Sequence, residues 1–117
     1  MKNNSLLLKR KLEMRVEKAL QASAADFKIR STVKNVRING ESRGCSGHFI
    51  NDATGACVYI NTEKSVYSPL SELNLIRYAK DEKDFSSNRI SYGYNQWAGD
   101  DELPERIVAM LQNPPSR

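Results

Sequence analysis

FKIRSTVKNVRINGESRGCSGHFINDATGACVYINT, residues 27–62, holds two turn sequences between three runs of strand-forming residues. The first turn is Asn39-Gly40, flanked on both sides by alternating apolar and polar residues. Asn-Gly in that setting is the strongest short-range hairpin signal, because a type I′ turn needs positive φ at both central positions. The second turn, Asn51-Asp52-Ala53-Thr54-Gly55, leads into Cys57-Val58-Tyr59-Ile60. This stretch predicts an antiparallel three-strand meander, with the rest of the chain as its cover and connections.

Within the first strand, Phe27, Ile29 and Val33 share one face, and Lys28, Arg30, Thr32 and Lys34 share the other. Past Lys34 the apolar parity shifts to Val36 and Ile38, which predicts a β-bulge near Lys34-Asn35. The second strand, Ser42 to Ile50, contains Gly44 and Gly47. Glycine inside a strand marks a bulge, a bend or a close backbone approach. A sheet bend is the expected reason, and a ligand approaching the segment from Arg43 to His48 is the alternative. The third strand, Cys57 to Thr62, is short and apolar on both faces, so it belongs in the middle of the sheet. Leu73 to Ala79 reads as a fourth strand, and Ile90 to Trp97 as a short fifth with Ile90, Tyr92 and Tyr94 on one face.

Upstream, a helix is expected from Ser5, its N-cap, to about Ala22, with Leu8, Leu12, Val16, Ala19 and Leu20 in one stripe. Leu6, Leu7 and Met14 fall outside that stripe and are expected at the surface, a pointer to self-association as a dimer. A second helix is expected from Asp101 to Gln112, capped by Asp100 or Asp101, with Pro104 in its first turn and Leu103, Ile107, Met110 and Leu111 buried. The fold class is therefore α+β: an antiparallel, twisted sheet of four or five strands flanked by an N-terminal and a C-terminal helix, in the order α-β-β-β-β-(β)-α. Residues 1–117 are expected to form a single domain, frayed at 1–4 and 114–117.

No apolar run reaches the length of a membrane span, and Leu6-Leu7-Leu8 is too short for a signal-peptide core. With two cysteines and no export signal, the expected setting is cytoplasmic. The formal net charge of +4 argues against a carboxylate-rich imitation of DNA and is compatible with contact to nucleic acid or an acidic surface as well as with an ordinary solvated surface.

Cys45, His48 and Cys57 raise a metal-binding or enzymatic reading. Zinc needs four converging ligands, and a hairpin centred on Ala53 would put Cys57 opposite His48 or Phe49, leaving Cys45 about 13 Å away along the strand. The same offset disfavours a Cys45–Cys57 disulfide. His48 is the only histidine, and no phosphate-cradling glycine loop lies between a strand and a helix. Buried cysteines and a hydrogen-bonded strand histidine are the plainer account, so neither metal, cofactor nor catalysis is expected.

Contact chemistry is better represented. Lys28, Arg30, Lys34 and Arg37 belong to one strand, and Arg43 begins the irregular stretch of the next. Tyr92, Tyr94 and Trp97, with Arg77 and Arg89 near in sequence, supply the ingredients of a base-stacking surface or of apolar anchors for a protein. Arg43-Gly44, the basic strand from Lys28 to Arg37 and the Tyr/Trp segment also carry a resemblance. In size, composition and architecture the chain resembles small proteins of phages and mobile elements, including type II anti-CRISPR inhibitors of Cas9-like nucleases. That resemblance implies a protein that acts stoichiometrically by occupying a nucleoprotein surface. The expectation is thus a binding protein whose partner is a protein, a nucleoprotein or nucleic acid, with Lys28, Arg30, Lys34, Arg37 and Arg43 as positive contacts and Tyr92, Tyr94 and Trp97 as anchors.

Overall fold

The structure, a computed structural model, describes residues 7–63, 72–84 and 94–114. Its elements in chain order are α1 (Lys9–Ala22), β1 (Ile29–Ser31), β2 (Lys34–Ile38), β3 (Glu41–Asn51), β4 (Cys57–Asn61), β5 (Asn74–Ala79), β6 (Gln96–Ala98) and α2 (Leu103–Gln112). All strand pairs are antiparallel, in the order β1-β3-β4-β5-β6, and β2 pairs with β3 beyond β1. Asn39 and Gly40 take φ of 55° and 82°, as a type I′ turn between β2 and β3 requires. The α+β meander between two helices is the expected architecture, with six strands rather than four or five.

The first strand is divided. β1 and the start of β2 keep one register against β3, but between them the Val33 amide leaves the ladder and takes the Ser31 Oγ at 3.2 Å. Gly47 explains the break. A Cβ at that position would lie 2.6 Å from the Val33 Cα, so only glycine lets the two backbones come so close. The expected bulge exists, but its extra residue sits on the other strand. Asn35 pairs with Cys45 and Arg37 with Ser42, so Arg43 and Gly44 together oppose Val36. Gly44 takes φ of 129° there, with the backbone of Thr62 and Glu63 within 2.8 Å of where a Cβ would be. The close approaches at both glycines are made by the chain's own backbone.

The second hairpin is also shifted from expectation. Ile50, not His48 or Phe49, lies opposite Cys57. Asn51 is the last residue of β3 rather than the first of the turn: its amide donates to the Ala56 carbonyl, and its Oδ1 accepts from the Ala53 and Thr54 amides. Its Nδ2 donates to the Leu111 carbonyl, tying the hairpin to the end of α2. A one-residue change of register moves a side chain to the opposite face of the sheet, so Cys57, opposite Ile50, shares the face of His48 and not that of Phe49.

Both helices lie on one face. Phe49, Val58, Ile60 and Ile76 meet Leu12, Val16 and Leu20 of α1 and Leu103, Ile107, Val108 and Leu111 of α2 in one buried cluster. The helix ends differ from expectation. α1 begins at Lys9 with Leu8 as its N-cap and no side-chain cap, while Ser5 and Leu6 lie outside the described residues. Leu7 is fully buried, contrary to expectation, because its carbonyl is held by the Thr62 hydroxyl at 2.6 Å and its side chain joins the core. Met14 is exposed as expected. For α2, Glu102 is the N-cap without a side-chain bond, and the Gly99 carbonyl receives the Glu102 and Leu103 amides. Asp100 instead accepts from the Asn74 Nδ2 at 2.8 Å. Among the described residues no helix is long and apolar enough to cross a membrane.

Candidate functional site

Strand alternation leaves a second face, opposite the helices, and the ladder registers order it into rows. One row runs from Arg30 through Ile50 and Cys57 to Ala79. The next runs from Thr32 through His48 and Tyr59 to Arg77, with Thr32 fixed by its amide on the His48 carbonyl and its Oγ1 under the His48 amide. A third runs from Lys34 through Ser46, Asn61 and Leu75 to Trp97 on β6.

The expected basic residues are not gathered into one surface. Lys28, Arg30 and Lys34 share this second face by alternation. Arg30 is committed: its Nη1 lies 2.7 Å from Glu82 Oε1 and its Nε 3.9 Å from Asp52, and the Glu82 carboxylate holds the guanidinium pKa above its ordinary value. Lys28 and Lys34 are exposed and make no ion pair with any described acid. Arg37 follows Asn35, whose Oδ1 accepts from the Lys9 amide, onto the helix-bearing side, and its Nη1 donates to the Gly40 carbonyl. Arg43 sits in the bulge with its Nη1 4.0 Å from Glu41 Oε1.

Of the aromatic anchors, Tyr92 lies outside the described residues, Tyr94 is exposed, and Trp97 is 40% exposed in β6. Trp97 and Lys34 occupy one row but opposite edges of the sheet. Four strand steps separate them, roughly 19 Å at ~4.8 Å per step.

Between these edges Arg77, Tyr59 and His48 come together, a grouping that the sequence did not announce although His48 and Arg77 each drew notice singly. Arg77 is 3% exposed, and its Cζ stands 4.4 Å from the centroid of the Tyr59 ring, a cation–π contact. Tyr59 in turn meets the His48 ring at 5.3 Å between centroids. The His48 Nε2 lies 3.0 Å from the Asp84 carbonyl; since a carbonyl only accepts, Nε2 carries the proton. Burial lowers the His48 pKa, with the Asp84 carbonyl opposing that shift and the Arg77 charge adding to it. The imidazole is therefore neutral at pH 7. One signal for Arg77 was present in the sequence: an arginine between Ile76 and Tyr78 in a mostly apolar strand.

The same registers separate the metal-reading residues. Cys45 is on the helix side, where its Sγ donates to the Leu7 carbonyl at 3.3 Å. Cys57 and His48 are on the other face, so the three cannot converge. Among the described residues no set of three His, Cys, Asp or Glu side chains is placed to hold a metal ion. Burial raises both thiol pKa values, that of Cys57 to about 12 with the help of Asp81, Glu82 and Asp84. Both are protonated at neutral pH and are poor nucleophiles. Compared with family models, with curated proteins and with solved structures, the chain gives no match.

Proposed function

We propose that the protein is a non-catalytic binding protein whose second sheet face engages nucleic acid or a nucleoprotein. The observation that carries this reading is the pairing of unneutralised Lys28 and Lys34 at one edge of that face with exposed Trp97 at the other. Lysines without acidic partners can release counterions when they meet phosphates, and an exposed indole offers a stacking platform for a base. Arg43 contributes from the bulge of the adjoining β2–β3 hairpin, while Arg37, on the helix-bearing side, does not. Two protonated thiols and a lone neutral imidazole, spread over both faces, supply no nucleophile–base pair. In its narrower form, the partner is a guide-loaded Cas9-like nuclease and the protein is a stoichiometric inhibitor. The resemblance in size and architecture to anti-CRISPR proteins supports that form, and a cleavage assay at increasing protein-to-nuclease ratio tests it.

The general reading is tested by following Trp97, the only tryptophan, by fluorescence during titration with a single-stranded oligonucleotide. If about three phosphates are contacted, a fourfold rise in salt should weaken binding roughly 20-fold. Affinity that stays flat with salt, or no quenching at any concentration, overturns the nucleic-acid version. A protein partner would instead give little salt slope and a large loss on Trp97→Ala.

A further inference from the structure

β2 is an edge strand: β3 lies on one side of it, and among the described residues no strand lies on the other. Strand alternation decides which backbone groups that outer side presents. Asn39-Gly40 is a two-residue type I′ turn, so Ile38 and Glu41, which flank it, form a hydrogen-bonded pair. The amide and carbonyl of Arg37 therefore point outward, and those of Val36 point inward against the bulge. Asn35 points outward as well. Cys45, opposite it, directs its amide and carbonyl to Thr62 on the β4 side and offers neither to β2. Beyond Asn35 the edge is closed, because the Val33 carbonyl accepts from Lys9 Nζ at 2.9 Å and the Val33 amide takes the Ser31 Oγ. What is left is a short open ladder in which four exposed residues surround a half-buried Val36, among them Ile38 at 41%. An open edge of this kind is a template for another strand.

We infer that this edge is a self-association site, where a second copy of the chain adds its own β2 antiparallel across a two-fold axis at Val36. Opposed residues must both point outward or both inward, so the axis can fall only on a residue, not between two. Placed on Arg37, it sets two arginines directly opposite each other, which is destabilising. Placed on Asn35, it sets Arg37 against the closed Val33. Placed on Val36, it pairs Arg37 of each copy with Asn35 of the other and forms four backbone hydrogen bonds. The same register puts Lys34 opposite Ile38 of the second copy, so the lysine stem covers the exposed isoleucine while its ammonium stays in water. No cation then faces a cation. The contact is isologous, the form taken by most soluble homodimers. It needs no nucleic acid and is independent of what the second face binds.

The test is the mass of the full chain in solution, without nucleic acid, by sedimentation over roughly 10 μM to 1 mM, the range in which so small an interface associates. A reversible dimer is the expected result. Arg37→Pro removes an outward amide and no bond to β3, so two of the four hydrogen bonds are lost and association should weaken roughly 30-fold. Cysteine variants read the register. At Val36 the α-carbons of the two copies come to about 4.5 Å, within disulfide reach, so Val36→Cys should cross-link under mild oxidation. At Ile38 they stand roughly 13 Å or more apart, so Ile38→Cys should not. The native Cys45 and Cys57 are buried and do not compete. A chain that is monomeric throughout the range overturns the inference. So does cross-linking of Ile38→Cys as fast as Val36→Cys, or a dimer undiminished in Arg37→Pro. If Arg37→Pro does not fold, the two cysteine variants decide.

Discussion

The helix-bearing face of the sheet presents Phe49, Val58, Ile60 and Ile76 from its three central strands, while the reverse face of those strands presents His48, Tyr59 and Arg77. Burial hardly distinguishes them: Phe49 is 1% exposed, His48 0% and Arg77 3%. Chemistry does. One face removes apolar surface from water and packs it against two helices. The other encloses an imidazole, a phenol and a guanidinium at a desolvation penalty that packing alone does not explain. The first face is where stability resides, and on the second the chain tolerates a penalty that the described contacts of Arg77 do not repay.

Large-to-small substitution gives the sharpest contrast. Phe49→Ala should cost about 4 kcal/mol in urea unfolding, since it opens a cavity between β3 and both helices. Arg77→Met should leave stability within about 1 kcal/mol of wild type or raise it, because a buried charge is replaced by an apolar chain of similar length. If the two variants lose equal stability, the second face is a packed core like the first, and the division drawn here fails.

A smaller effect is expected where the first face joins the chain's beginning. The Thr62 Oγ1 accepts from the Cys45 amide at 2.9 Å and donates to the Leu7 carbonyl at 2.6 Å. Thr62→Val keeps the shape, strands the Cys45 amide and leaves the Leu7 carbonyl only the weak Cys45 thiol donor, at a cost of about 2 kcal/mol by the same unfolding measurement. A loss near zero would mean that water reaches Leu7, and that this seam is wetter than its burial implies.

These contrasts also separate what could be read in advance from what could not. Asn39-Gly40 announced its hairpin because the turn chemistry is local: two adjacent residues alone determine whether positive φ is accessible. The stripe Leu12, Val16 and Leu20 announced the buried side of α1 for a similar reason. Register is not local. Whether Cys57 faces Phe49 or Ile50 depends on Asn51, whose amide side chain closes the turn and also reaches the Leu111 carbonyl sixty residues away. That register puts Cys57 on the His48 face, while Cys45, three positions before His48 in β3, lies on the other, so the three do not converge. Leu7 was misread likewise, because its burial depends on Thr62 and Cys45 rather than on helical periodicity. The basic strand was legible as a run of charges. Its division into paired Arg30, free Lys28 and Lys34, and reversed Arg37 was set by Glu82, Asp52 and the bulge at Arg43-Gly44.

The mildest test titrates the second face. Its one imidazole, His48, has its pKa lowered from the ordinary 6.5, first by burial and then by the Arg77 charge, against the opposing pull of the Asp84 carbonyl. Above pH 6.5 the ring is neutral in the folded and the unfolded chain and contributes nothing to pH dependence. Below it the unfolded chain takes up a proton that the folded chain refuses, so stability falls as pH falls. The slope approaches about 1.4 kcal/mol per pH unit for one proton and levels off once the folded-state pKa is passed. Carboxylates titrate mainly below about pH 5, which leaves a window in which the only histidine acts alone. His48→Gln keeps an N–H donor for the Asp84 carbonyl and cannot be protonated, so its stability should be flat across that window while the wild type declines. Parallel decline in both would show that the folded ring takes up its proton as readily as the unfolded one, and the face beside Arg77 would then gain a second cation below pH 6.5.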